Sequence, residues 1–450
     1  MPERHSIDLE ALIDQRKLGG FQIFVAVLCA AALLVDGFDT MAIGYVAPAL
    51  IKAWGIDRAA MTPAFAAGQI GLMLGSMVVG PLADRFGRRP VMVFSCVAFG
   101  LLSLATMRVT SVGELAVLRF LIGFGLGGGM PNALALTSEY MPSRVRVTAT
   151  MVMFCGFSIG AALGGWAVAH LIVRHGWQVV FLIGGVIPLV LAVVLALLLP
   201  ESLRFLAATG KHPRRLARCV RRIAPEADPE GRAAYVVTEK KAAGFVVREL
   251  FTEGRTRMTL LLWAITFMVL LDLNLLSSWV PIMLHDSGLS IETAAAVTIG
   301  YQVGGAFGNL LLGRFVDRYA PFLVLVVTFV IAFAGIVSLG LAGTHVALLT
   351  ALIFVVGFCV IGGVGASDAL VATCYPTGMR VTGLGWAIGV GRFGAVIGPT
   401  LGGFALTMGS SAASFFAIGA LPMLGAAAAA FVVHADSRNV ARTTPSLRGF

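Results

Sequence analysis

Between residues 21 and 434 the chain passes through twelve apolar stretches, each long enough to cross a bilayer. They fall at about 21–46, 61–83, 90–109, 113–138, 147–171, 178–200, 258–284, 292–316, 320–342, 346–373, 382–408 and 412–434. A membrane-crossing helix needs about 20 mostly apolar residues, whereas a barrel strand needs only about 10 with strict alternation. The stretches therefore predict an all-α polytopic membrane protein with twelve transmembrane helices, spans 1 to 12 in chain order. Composition agrees: 12% of residues are charged, against about 25% in a soluble domain.

The basic residues set the orientation. With the N-terminus inside, 27 of the 33 Lys and Arg lie on the inner side, four outside (Lys52, Arg58, Arg108, Arg174) and two within spans (Arg119, Arg392). The expectation is a multi-pass protein of the inner (plasma) membrane with both termini cytoplasmic. This asymmetry accounts for the net charge of +10, so no nucleic-acid partner is expected; anionic lipid is a better match. Residues 1–20 read as a cytoplasmic N-terminus and 435–450 as a cytoplasmic tail. No cleavable signal peptide is expected, because the first apolar run is long and carries Asp. Residues 201–257 hold 13 of the 33 basic residues, with Arg214, Arg215, Arg218, Arg221 and Arg222 at helical spacing. This segment reads as a solvated linker on the inner leaflet, between a bundle at 21–200 and another at 258–434. The six cysteines show no CxxC spacing and the seven histidines stand apart. Neither a disulfide framework nor a metal site is predicted.

The two bundles repeat. At an offset of 233, Asp39 falls on Asp272, Pro48 on Pro281, and Gly80, Asp84 and Arg85 on Gly313, Asp317 and Arg318. At 234, Gly123 falls on Gly357, Pro142 on Pro376 and Arg146 on Arg380; at 238, Gly156, Gly160, Gly164 and Gly165 fall on Gly394, Gly398, Gly402 and Gly403. The expected architecture is two pseudo-repeated six-helix bundles around an axis along the membrane normal, an arrangement suited to alternating access.

Span 1 contains Asp36-Gly37-Phe38-Asp39. Each ionised Asp costs roughly 2.5–3.5 kcal/mol near the centre of a membrane helix. At i, i+3 the two share a helix face. They are either satisfied structural groups or a proton site on a transport pathway. Helix rise puts Asp39 roughly 10 Å, and Arg119 roughly 9 Å, from the outer ends of their spans, so the two can pair by depth. Arg392 lies roughly 15 Å into span 11. Its guanidinium suits a substrate carboxylate, or pairs permanently with Asp272 or Asp368. Phe38, Tyr45, Trp279, Tyr301 and Trp386 can stack on a ring or simply pack. The amides Asn132, Asn274 and Gln302 can bind ring hydroxyls or bridge helices.

Between spans 2 and 3, Gly80-Pro81-Leu82-Ala83-Asp84-Arg85-Phe86-Gly87-Arg88-Arg89 resembles the cytoplasmic loop signature of the major facilitator superfamily. Arg119-Phe120-Leu121-Ile122-Gly123 resembles its fourth-helix motif, and Glu139-Tyr140-Met141-Pro142 with Arg144 and Arg146 also matches. Together with Asp36-Gly37-Phe38-Asp39, the segment from Pro200 to Leu206, Tyr375-Pro376-Thr377 and the run from Gly389 to Pro399, these motifs resemble the aromatic acid:proton symporter family over nearly the whole chain. Asp368 departs from the neutral amide expected there.

The resemblance implies a proton-coupled symporter importing a benzoate- or hydroxybenzoate-type anion by alternating access. The proton gradient supplies the energy; no cofactor is implied and the unit is expected to be a monomer. Asp36, Asp39 and Arg119 would couple protons. Arg392, Asp272, Asn274, Asn132, Tyr301, Gln302, Asp368 and Trp386 would line the substrate site. Gly80, Asp84, Arg85, Arg89, Glu139, Arg146, Asp317, Arg318 and Arg380 would gate. The alternatives are a transporter of another small organic anion, an exporter, and a substrate-sensing receptor. An exporter is disfavoured because span 5 reads Gly160-Ala161 where a Gly-Pro pair is usual; no nucleophile–base set points to an enzyme.

Overall fold

The computed structural model describes residues 6–210, 213–226, 234–236, 250–252, 255–375, 380–408 and 411–443. It contains twelve helical segments long and apolar enough to cross a membrane. They are span 1 (Gly20–Trp54), span 2 (Arg58–Val79), span 3 (Arg88–Thr106), span 4 (Val112–Tyr140), span 5 (Ser143–His175) and span 6 (Gln178–Leu198). The second half supplies span 7 (Thr256–Asp286), span 8 (Ile291–Val316), span 9 (Pro321–Leu341), span 10 (Val346–Val371), span 11 (Gly383–Thr407) and span 12 (Ala412–Asp436). In lipid every backbone N–H and C=O must be paired within the segment, which a helix does by itself. Outward side chains are correspondingly apolar: Val27, Met77, Phe94, Val117, Val193 and Leu341 are all exposed. The one departure from an all-helical chain among the described residues is a parallel pairing of Ser6–Asp8 with Ala234–Val236.

Two boundaries differ from the sequence reading. Span 1 continues through Pro48 to Trp54, since a membrane helix tolerates proline where neighbours re-satisfy the freed carbonyl. Span 4 is two helices, Val112–Leu126 and Gly129–Tyr140, meeting at Gly127 and Gly128. A Cβ on Gly127 would sit 2.3 Å from the Ser76 amide nitrogen. The break therefore falls where span 4 presses directly on the backbone of span 2.

The chain sorts into two compact units. One comprises residues 1–40, 70–161 and 178–241, the other 41–69, 162–177 and 242–450. The division does not follow the linker, because the far ends of spans 1, 2 and 5 belong to the second unit. There Arg58 pairs with Asp286 at 2.5 Å and Phe65 meets Trp279 edge to face at 5.2 Å.

Within each unit the same helix contact recurs. A Cβ on Gly71 or Gly75 of span 2 would lie 2.1 Å from the carbonyl oxygen of Phe120 or Phe124 in span 4. In the second unit Gly304 and Gly308 of span 8 meet the carbonyls of Phe354 and Phe358 in span 10 at 2.0 and 2.2 Å. These are the same positions at offsets of 233 and 234. Small residues let the backbones approach, which drives association where lipid gives no hydrophobic effect between helices.

The offset of 238 for span 5 needs correction. Gly160 packs on the Leu34 carbonyl, and Gly394 packs on that of Phe267. Gly37 meets Phe157 as Leu270 meets Gly391. Both contacts put span 11 at 234 from span 5. Glycines recurring every fourth residue also match one turn out of register, so identity alone selected the wrong turn.

The linker also departs from expectation. Leu203–Thr209 and Pro213–Ile223 are helices. Leu203, Leu206, Leu216 and Val220 are buried with Leu9 and Ile13 of the helix Leu9–Gln15. The basic residues at helical spacing are thus the wet face of a helix whose apolar face packs on the N-terminal segment. This part of the linker is folded rather than solvated.

Candidate functional site

Asp36 and Asp39 are both buried, 5% and 3% exposed. Their surroundings differ. Arg119 Nη1 donates to Asp39 Oδ1 at 2.8 Å, and Nη2 reaches the Asp39 carbonyl at 3.4 Å. Both side chains are almost wholly enclosed, so the pairing expected from depth is a buried ion pair between spans 1 and 4. In a low-dielectric interior each partner compensates the other's desolvation.

Asp36 faces span 3 instead. The Thr40 hydroxyl donates to its Oδ1 at 3.3 Å. A cavity of about 20 Å³ beside it is lined by Ser95, Cys96, Met92 and Met130. That is room for one water molecule, and the buried Ser95 hydroxyl has no hydrogen-bond partner. Gly37, between the two carboxylates, lies within the continuous helix Gly20–Trp54. It seats span 1 on span 5, where a Cβ would come 2.0 Å from the Phe157 carbonyl oxygen.

The second unit lacks this pairing. Asp272, the counterpart of Asp39, is fully buried and neither carboxylate oxygen has a hydrogen-bond partner among the described residues. The repeat offset places Ile353, itself buried, where the first half has Arg119. Tyr301, 3% exposed, lies within electrostatic reach of Asp272 and of Tyr45, and neither tyrosine hydroxyl has a partner.

The remaining candidates are scattered. Asn132 and Asn274 donate to carbonyls of their own helices, Gly128 at 2.6 Å and Leu270 at 2.9 Å. Gln302 is buried next to Tyr301 in sequence. Arg392 is half-buried, on the span whose Gly391 and Gly394 press against span 7. Asp368 is half-buried with Oδ1 unpaired. Trp386 is 45% exposed and stacks on Trp263 at 5.9 Å. Phe38 packs against Gly184, and Trp279 donates to the Pro399 carbonyl at 2.9 Å.

The expected gate is a hydrogen-bonded cluster in the first unit. Gly87 has φ +97°, a left-handed conformation, and a Cβ there would strike the Glu201 carboxylate at 2.4 Å. Glu201 Oε1 accepts the backbone N–H groups of Arg88 at 2.8 Å and Arg89 at 3.2 Å. It caps the start of span 3, where an anion is favoured. Arg88 pairs with Glu139 at 2.7 Å, off-line for a hydrogen bond, and Ser202 donates to Glu139 at 2.5 Å. Arg89 donates to the Ala196 carbonyl and Tyr140 to that of Glu201. Arg85 lies over Phe86 at 5.5 Å. Arg146 is half-buried with Nε unpaired, and Arg318 is exposed. Gly80 follows span 2 within the helix Thr62–Phe86, but its surroundings and the side chains of Asp84, Asp317 and Arg380 lie outside the described residues. Glu201 was missed from sequence; the signal was a carboxylate just beyond span 6 and a glycine before two arginines.

A family profile, Major Facilitator Superfamily, matches residues 29–256 and 262–448. The chain belongs to the major facilitator superfamily. It is a membrane transporter and not an enzyme. Among its superfamily relatives, the "4-hydroxybenzoate transporter PcaK" of Pseudomonas putida is 40% identical, covering 96% of this chain and 98% of that one. The "Gallate transporter" of the same organism is also 40% identical, covering 98% and 97%. The resemblance to the aromatic acid:proton symporter family is thus met by the relatives. The superfamily fold is shared with the xylose transporter XylE from Escherichia coli in a partially occluded inward-open conformation, at a TM-score of 0.70, 18% identity and coverage of 91% and 97%.

Proposed function

We propose that this transporter is a proton-coupled symporter that imports an aromatic carboxylate of the benzoate and hydroxybenzoate class by alternating access. The observation that carries the coupling is the unequal pair in span 1. Asp39 pairs with Arg119 at 2.8 Å, while Asp36 borders a small, mostly apolar cavity with room for one water molecule. Asp36 is proposed to exchange the proton, and Asp39 with Arg119 to hold span 1 against span 4. Binding a proton removes a charge that would otherwise be desolvated as the carrier reorients.

The substrate class is supported by what the relatives carry: 4-hydroxybenzoate and gallate. Both are benzene rings bearing one carboxylate and at least one hydroxyl. Arg392 is proposed to take the carboxylate, with Asp272, Asn274, Asn132, Tyr301, Gln302, Asp368 and Trp386 around the ring. The gate is proposed at the Glu201 cluster, together with Gly80, Asp84, Arg85, Arg146, Asp317, Arg318 and Arg380. The protein is proposed to work as a monomer in the inner membrane with both termini cytoplasmic, in two six-helix bundles at 21–200 and 258–434. Competition for uptake of labelled 4-hydroxybenzoate into proteoliposomes tests the class. Benzoate-type acids should compete and aliphatic acids should not; competition by neither, or by both alike, contradicts it.

A further inference from the structure

Three of the second unit's buried side chains without hydrogen-bond partners call for an explanation. Asp272, Tyr301 and Tyr45 are 0%, 3% and 2% exposed. Both Asp272 oxygens and both tyrosine hydroxyls lack hydrogen-bond partners among the described residues. Such groups are costly to bury: an unpaired hydroxyl costs about 1–3 kcal/mol and a carboxylate more. A core made only for packing would carry phenylalanine and leucine at these positions. One proton on Asp272 would neutralise the acid but leave two phenol oxygens unpaired.

We propose that Asp272, Tyr301 and Tyr45 form the subsite for the ring hydroxyls of a polyhydroxylated aromatic acid. The assignment rests on the reading under Proposed function and adds to it the end of the substrate that binds here. The Asp272 oxygens can accept hydrogen bonds, so a ligand that donates suits them, and a substrate carboxylate cannot donate. The ring hydroxyls can donate, and adjacent hydroxyls can each engage one carboxylate oxygen. A tyrosine hydroxyl both donates and accepts, so Tyr301 and Tyr45 complete the remaining valences of neighbouring ring hydroxyls. Ile353 in place of a second arginine keeps Asp272 uncommitted, in contrast to Asp39. The substrate carboxylate is then left for the opposite end of the ring.

A site built to bind a hydroxyl rejects the analogue that lacks it, because its own polar groups are stranded. The test uses the full chain in proteoliposomes with labelled 4-hydroxybenzoate and four competitors: benzoate, 4-hydroxybenzoate, 3,4-dihydroxybenzoate and 3,4,5-trihydroxybenzoate. The wild type should prefer each added hydroxyl, and the trihydroxy acid should outcompete benzoate by more than tenfold. In Asp272→Asn that preference ratio should shrink by about tenfold, and in Tyr301→Phe by a smaller factor. Tyr301→Phe, which removes a single oxygen, keeps the test open if the Asp272 variant is not recovered in the membrane. A preference ratio unchanged in both variants overturns the subsite. So does a wild type that takes benzoate as tightly as the trihydroxy acid, while the substrate class survives. Failure of all four acids to compete overturns the substrate class itself.

Discussion

Arg119 and Asp39 form an ion pair at 2.8 Å inside the first unit, whereas Asp272, the repeat counterpart of Asp39, has Ile353 at the position corresponding to Arg119. One duplicated acidic position has thus become a structural clasp in the first half and an uncompensated carboxylate in the second. Removing one partner of a buried pair strands the other charge, at a cost of ~3–5 kcal/mol. Arg119→Leu and Asp39→Asn should each lower the melting temperature in detergent clearly. The double variant should recover much of the loss, as a neutral pair of similar volume does in other buried sites. Thermal unfolding followed by tryptophan fluorescence reads this out; additive losses in the double variant contradict it.

Asp36 should behave differently. Asn keeps an oxygen that can accept the Thr40 hydroxyl, so Asp36→Asn should melt close to wild type. The same variant should lose accumulation against a gradient yet retain exchange of labelled for unlabelled substrate. Ser95→Ala should slow accumulation and leave the melting temperature within a degree or two. Counterflow and gradient-driven uptake, measured on the same vesicles, separate the two activities.

Much of this was open to reading from the chain. The spans follow from run length, since a bilayer fixes how many apolar residues a helix must have. The Asp39–Arg119 pair was possible by depth, because helix rise converts residue count to height, but depth does not show that the two faces meet. The span 5 register was not legible, since glycines at every fourth residue fit two registers equally and only contacts with Leu34 and Phe267 choose between them. Glu201 escaped for a different reason. Its partners, the amides of Arg88 and Arg89, lie 113 and 112 residues away, too far for a local pattern to join the glycine before two arginines to the carboxylate beyond span 6. Leu9 and Ile13 were too few to reveal that a short N-terminal helix covers the linker helices.

The glycine contacts give a symmetrical prediction. Gly75→Leu and Gly308→Leu occupy the same place in the two repeats, each against a phenylalanine carbonyl at 2.1 or 2.2 Å. A side chain there must push two helices apart, costing ~1–3 kcal/mol or more. Both variants should give low yields of folded protein by size-exclusion chromatography. Substitution at Gly313, where no atom lies within 4 Å of a Cβ, should be tolerated.

The N-terminal segment should respond to acid. Asp14 Oδ1 accepts the Ser143 backbone N–H at 2.6 Å, at the start of span 5. That hydrogen bond holds the Asp14 carboxyl below its ordinary value, with Arg146 and Arg144 contributing. A lowered folded-state value stabilises above the ordinary carboxylate range, and the contribution disappears as pH falls through the lowered value. Hydrogen–deuterium exchange in the helix Leu9–Gln15 should therefore rise between neutral and strongly acidic pH, after correction for the intrinsic rate. Asp14→Asn should show raised exchange already at neutral pH and a flatter pH dependence.

The central claim is that substrate import is driven by protons. Its most direct measurement is uptake of labelled 4-hydroxybenzoate into proteoliposomes with an imposed gradient, alkaline inside, with and without a protonophore. Accumulation above the external concentration should follow the gradient and vanish when it is collapsed, and Asp36→Asn should not accumulate under either condition. Uptake of the same rate and extent with the gradient collapsed would contradict the account.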